Sequence, residues 1–454
     1  MKHLATKEVR VICENRATLG VMERSADRRE CGHPRKWRFG QTRIWPSVML
    51  SAVVAVLLAD PVAAQVDSAL FEQMEDLPLP WQPGAHEPFL TTFDGALYMS
   101  WMEQAGDRTR VMMAVRTLQG WSDPRLVQEG TDLFVNWADF PGIAVLKDGT
   151  VAVHWLREIG LSSYDYRIEI AVSHDGGASW SDPIVPHDDR SFSQHGFVSM
   201  LPTQPNDLAV IWLDGRAYAA KAGATPSAPG AMQLRATSLT RDGVPDRDVA
   251  VDPQTCSCCQ TSLAASGDGT IIAAYRDRTE GEIRDIAVAR LTKQGWQTPV
   301  MVHDDGWELS GCPVNGPAVS ALQDRVVTTW FTGANDVPAV KVAFSEDGGR
   351  TFGEPDRIDL GSPVGRVDVE MLDDGSAIVS WVEWSADGES LVLCRARAGL
   401  GCVASQVLAV NADGASVNFP KMARSGNDVF VAWTQPIDGG DTIKLRRGVL
   451  PSNQ

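Results

Sequence analysis

"VAVHWLREIGLSSYDYRIEIAVSHDGGASWSDPIVP", residues 151–186, holds most of one structural unit. "VAVHW" is a short apolar run ending in an aromatic, "IEIAVS" carries alternating apolar residues, and a polar loop separates them. "HDGGASW" then makes a turn, and "SDPIVP" reads as a final short strand. The segment just before, "GIAVLKDGT", adds a strand-like run and a turn. Four short strands in one stretch, with no helical period, predict a small antiparallel sheet.

The unit recurs. Apolar runs ending in an aromatic appear at "LYMSW" (Trp101), "VAVHW" (Trp155), "LAVIW" (Trp212), "IIAAY" (Tyr275), "VVTTW" (Trp330), "AIVSW" (Trp381) and "VFVAW" (Trp433), at spacings of 51 to 63 residues. Repeated four-stranded units of this size predict an all-β, seven-bladed β-propeller over residues 85–454. The recurring aromatic is expected to wedge between blades. The last repeat shows three evident strands, so residues 65–84, near "VDSALFEQ", are expected to lend the missing outer one.

"SHDGGASW" (173–180) and "SEDGGRTF" (345–352) match the S-x-D-x-G-x-x-W/F turn of Asp-box, or BNR-repeat, proteins. On these motifs the chain resembles the sialidase-like β-propellers, including exported bacterial members of unestablished activity. The resemblance implies that these turns lie on the face opposite the active site, and it makes a six-bladed sialidase-type ring the alternative architecture. It does not extend to sialidase catalysis. The first blade reads "HEPFLTTFDG" without the family's arginine, and no tyrosine follows Tyr275 to serve as the late nucleophile.

Residues 1–64 carry 11 Lys/Arg against 6 Asp/Glu and end in "VMLSAVVAVLLADPVAA". An apolar run of this length is short for a bilayer span, and small residues follow it, so the segment reads as a secretory signal peptide. The expectation is an exported protein, periplasmic or extracellular, with no membrane span once processed. With the whole chain at −17, the remainder bears about −22. Such charge disfavours nucleic acid and anionic membranes as partners. Six cysteines remain beyond Cys13 and Cys31, in a compartment that permits disulfides.

Propeller topology gathers on one face the entry loops of the blades and the loops joining their second and third strands. "CSCC" (Cys256, Cys258, Cys259) and Cys312 fall at the entries of adjacent blades four and five, so they are expected close in space. Two readings stay open. They form disulfides, or they form a thiolate-rich site for copper or zinc, completed by a histidine such as His195. Cys394 and Cys402 flank "RARAGLG" and are read as a structural disulfide.

"YRDRTEGEIRD" brings Arg276, Arg278 and Arg284, with Asp277, to the same mouth. Such a group is either a solvated salt-bridge network or a fork for a carboxylate, sulfate or sugar acid. Glu87, His195 and Arg366 are further ligand-binding candidates on that face. Asp139, Glu370 and Asp277 are the carboxylates available for acid–base work. The function expected is ligand or metal binding, or a redox role, at the cysteine-bearing mouth. The alternatives are a glycoside hydrolase acting on an acidic sugar and a scaffold for protein partners with clamped blades.

Overall fold

The computed structural model describes residues 69–80, 83–203, 205–219, 231–411, 416–437 and 440–451. Residues 1–64, which carry the export reading, lie outside the described residues. Among the described residues no helix is long and apolar enough to cross a membrane.

Seven antiparallel sheets make seven blades. Their first strands are Ala85–Phe93, Ile143–Val145, His195–Thr203, Ser262–Ala265, Ala318–Leu322, Pro363–Met371 and Lys421–Ser425. Each packs against the first strand of the next blade, and the seventh returns to the first, closing the ring. The chain is a seven-bladed β-propeller, and the six-bladed alternative is set aside. In blade 2 three strands pair continuously, and the fourth shrinks to a single bridge between Ile170 and Ile184. Pro183 and Pro186 flank that bridge and lack the donors a longer ladder would need.

Blade 7 takes its outer strand from the other end of the chain. Gln73–Asp76 pairs antiparallel with Gly440–Val449, from Gln73 opposite Val449 to Asp76 opposite Arg446. Arg446 and Arg447 reinforce the join through Asp76 and Glu75, at 2.6 and 2.8 Å. The strand begins where the sequence suggested it would end. Leu70 and Phe71 are buried against Leu372 and Trp433, so the residues before it plug the core between blades 6 and 7.

The seven recurring aromatics are all buried, at 2% exposure or less. Each also has its polar atom satisfied, as a buried indole or phenol requires. Trp101, Trp212, Trp381 and Trp433 donate to the side chain two residues on: Glu103, Asp214, Glu383 and Gln435. Residues i and i+2 share a strand face, so W-x-E/D/Q is a self-contained wedge. Trp155 uses Glu169, Trp330 uses Asp305, and Tyr275 uses Asp252. Several acidic residues near the blade ends are therefore structural partners.

The two S-x-D turns follow the third strands Tyr166–Ser173 and Ala339–Ser345. Asp175 Oδ1 accepts from the Ser179 amide at 2.9 Å, and Ser173 Oγ accepts from the Gly177 amide at 2.7 Å. Asp347 and Ser345 repeat the pattern with Thr351 and Gly349. Gly176 and Gly177 sit at φ +71° and +96°, open to glycine and strained for other residues. Because third strands run away from the blade-entry face, these turns occupy the other one.

Candidate functional site

The blade-entry face carries a cleft of about 770 Å3 over blades 2 to 5. Seven aromatic residues line it, among them Trp137, Tyr164, Tyr166, Phe192 and Tyr218. Cys258 and Cys312 form part of its wall, together with Asn136, Ser193, Gln194 and Ser257. Among the described residues no lysine or arginine lines it, and Asp165 is its one charged lining group. Trp137, Tyr164, Phe192 and Tyr218 are 41, 68, 67 and 38% exposed, and Trp384 on blade 6 is the other exposed aromatic among the described residues. Four exposed aromatics converging on one concavity is unusual, because isolated exposed apolar groups are ordinarily scattered. A larger hollow of about 1020 Å3 lies between blades 3 and 4, lined largely by strand edges and turns such as Ser266–Gly269, with Trp296 its sole aromatic.

Sequence reasoning missed Tyr164, Phe192 and Tyr218. The available signal was position: Tyr164 and Phe192 stand in polar loops between strands and Tyr218 in the short turn of helix at Arg216–Ala219, whereas the wedge residues stand at the ends of apolar strands. The loops reach the cleft because short connections pin them. Gln194 Nε2 donates to the Ser257 carbonyl at 2.9 Å, tying the blade 3 entry to the cysteine segment. Gln260 Nε2 donates to the Ala138 carbonyl at 2.7 Å, and Gln260 Oε1 accepts from Gly316 N. Gly316 is obligatory here, since an added Cβ would lie 2.0 Å from the Gln260 carbonyl oxygen.

The cysteines come together as expected. Cys258 and Cys312 are joined, with their Cα atoms 6.0 Å apart, and bridge blades 4 and 5. Cys256 and Cys259 remain thiols, buried, with their sulfurs 3.3 Å apart. Cys256 Sγ also lies 3.9 Å from Cys258 Sγ and accepts from Arg284 Nη1 at 3.3 Å. The Cys259 hydrogen bond, aided by Arg276 and Arg284, lowers the Cys256 thiol to about 6 despite its burial, while burial pushes Cys259 up. With two sulfurs tied in a disulfide, two thiols beside an arginine are left, which is short of the closed four-ligand set that a structural zinc takes. His195 does not complete such a set. Its Nδ1 faces the Ser193 carbonyl at 3.0 Å, and its Nε2 faces Asp189 and Asp214 at 3.0 and 3.6 Å. It stacks on His187 in blade 3 and is fully buried, so it is not a surface ligand-binding group here.

The arginines do not form an open fork, which corrects that expectation. Arg276 is buried, donates to the carbonyls of Asn315, Arg284 and Phe331, and lies over Trp307 at 4.8 Å. Arg284 divides itself between Cys256 and Glu282, and Arg278 pairs with Glu282 at 2.5 Å. Satisfying buried carbonyls occupies the donors that a ligand carboxylate would have used.

Across the ring, Arg366 spans toward the cleft. It lies 5.0 Å over Trp137 and 5.9 Å over Phe419, while Nη1 meets Ser416 at 2.6 Å and Glu389 at 3.1 Å. Glu87 is buried, held by Asn418 Nδ2 at 3.3 Å, and burial raises its carboxyl to about 8. Asp139 is likewise buried and raised to about 8, with Oδ2 accepting from Phe197 N at 2.8 Å. Glu370, on the first strand of blade 6, is raised to about 8 by burial and by Asp368 beside it. Asp277 is raised to about 6, chiefly by burial. Among the described residues, no hydrogen bond joins Asp139, Glu370 and Asp277 to one another.

No family model matches the chain, and no curated protein matches it either. Solved structures do. An ulvan lyase, a polysaccharide lyase bound to -[GlcA(1-4)Rha3S]-, superposes with a TM-score of 0.54 at 10% identity, covering 82% of this chain and 95% of that one. The polysaccharide lyase Uly1 gives 0.50 at 10% identity, covering 85% and 95%. A Hadza microbial sialidase gives 0.43 at 14% identity, covering 76% and 73%. At these identities the likeness is one of fold. The chain shares the propeller architecture of carbohydrate-active proteins, with a cysteine-walled aromatic cleft on its entry face.

Proposed function

We propose that the protein binds a glycan in the aromatic cleft and that the bound stretch is uncharged. The convergence of Trp137, Tyr164, Phe192 and Tyr218 carries this reading. Sugar rings present flat C–H faces to aromatic planes, while neutral groups such as Asn136, Ser193 and Gln194 suit their hydroxyls. Among the described residues the lining holds Asp165 and no lysine or arginine, which supports an uncharged glycan over an acidic one. The ulvan lyase that shares the fold was solved with a glycan, which supports the ligand class but not its charge. Two disulfides fit an exported protein working in an oxidising compartment.

Hydrolysis has weaker support, because among the described residues no hydrogen bond joins Asp139, Glu370 and Asp277, and burial raises the Asp139 and Glu370 carboxyls. The test is calorimetric titration of the full chain with uncharged β-linked hexose oligosaccharides and, in parallel, with uronate-containing ones. Binding of the uncharged set, weakened about tenfold or more in Trp137→Ala, is expected. Binding of the uronate set alone, insensitive to Trp137→Ala, would refute the reading.

A further inference from the structure

We propose that the four-cysteine cluster is a dithiol–disulfide relay, passing two electrons from the buried Cys256/Cys259 pair through Cys258 and Cys312 to a disulfide substrate at the cleft. A staple between blades 4 and 5 needs only Cys258 and Cys312. The structure adds two more thiols, each almost wholly buried, stacked directly behind that bond. The order of the sulfurs gives the direction. Cys259 lies 3.3 Å from Cys256, Cys256 lies 3.9 Å from Cys258, and Cys258 is bonded to Cys312, which is exposed at the cleft. Arg284 Nη1, 3.3 Å from Cys256 Sγ, favours the thiolate that exchange requires.

The exchange balances without an outside reagent in its first half. The Cys256 thiolate attacks Cys258 Sγ, the Cys258–Cys312 bond breaks, and Cys312 leaves as a thiolate facing the cleft. Cys259, having lost its proton, then attacks Cys256, forming Cys256–Cys259 and releasing Cys258 as a thiolate. The two protons from Cys256 and Cys259 end on Cys258 and Cys312. In the second half, Cys312 attacks an exogenous disulfide, and Cys258 resolves the mixed disulfide. That step restores Cys258–Cys312 and reduces the substrate to two thiols. The net change is oxidation of one buried dithiol and reduction of one substrate disulfide.

The experiment uses the full chain with glutathione disulfide as the probe, acid quenching at intervals, alkylation and peptide mass mapping. The Cys256–Cys259 cross-link is expected to form no later than the first glutathione adduct, which should be on Cys312, followed by release of two glutathione thiols per chain. A first adduct on Cys256 or Cys259, or no cross-link at all, would overturn the relay. This time course needs no variant. In Cys258→Ser the Cys312 adduct should persist and the cross-link should form at least tenfold more slowly. An unchanged rate would show that the buried pair is oxidised directly and would equally overturn the proposal.

Discussion

The two disulfides stand in contrasting regions. Cys258–Cys312 ties adjacent blades across 54 residues of sequence, walls a cleft and backs onto two further thiols. Cys394–Cys402 ties neighbouring strands of blade 6 across 8 residues, beside a bulge where the register shifts between Arg395 and Ala396. Around the second, Arg395 and Arg397 are held by Asp374, and the surface is a salt-bridged sheet edge. The same covalent bond is thus a local brace in one place and part of a chemically furnished arc in the other. A sheet already fixes two paired strands, so a bond between them adds little order. Loops from separate blades are held by few hydrogen bonds, and there a bond can matter to both shape and chemistry.

The largest test of this contrast is stability. In the chain-entropy picture, Cys258→Ser with Cys312→Ser should lose roughly 4 kcal/mol, and Cys394→Ser with Cys402→Ser roughly 2.5 kcal/mol. Denaturant unfolding of the oxidised proteins measures both, and a larger loss at Cys394 and Cys402 would break the comparison.

Next in size is the pH response of the arc. A carboxyl raised to about 8, as at Asp139, is protonated in the native state between about 4 and 8 while the unfolded chain is ionised. Its favourable contribution is therefore full below about 4 and is lost as pH rises through 8. Asp139→Asn keeps an oxygen for Phe197 N, so it should gain stability relative to the parent between pH 5 and pH 8, on the order of a few kcal/mol. Unfolding curves at the two pH values decide it, and an unchanged difference would mean Asp139 is ionised in place.

A smaller effect separates the two exposed tryptophans. Trp137→Ala should weaken glycan binding about tenfold, or roughly 1.4 kcal/mol, whereas Trp384→Ala on blade 6 should leave titration curves unchanged. Equal losses would dissolve the distinction between the cleft and an exposed aromatic elsewhere. The smallest expected change is at Asp175→Ala, in the cleft's own blade 2 but on the other face. Losing its turn hydrogen bonds should cost about 1 kcal/mol in thermal unfolding while glycan binding stays as it was. A loss of binding would mean that the two faces are coupled.

The ring was legible from the spacing of Trp101 through Trp433, since a wedge must recur once per blade. The adjacency of the 256–259 cysteine cluster to Cys312, realised as the Cys258–Cys312 bond, was legible too, because blade entries stack whatever their sequence. The readings of Arg276, Arg284 and His195 as surface ligand groups were not reliable. A charged residue in a polar loop looks the same in sequence whether it meets solvent or a buried carbonyl.

By itself, then, the sequence determined the periodic parts: the alternation that makes each strand, the aromatic that fills each gap between blades and the S-x-D turns, all encoded within a few neighbouring residues. The tertiary structure decided which of the cysteines bond and which stay thiols, where the arginines spend their donors, and that Trp137, Tyr164, Phe192 and Tyr218 share one cleft. Those outcomes depend on loops from different blades meeting in space, a relation between distant residues that no local pattern records.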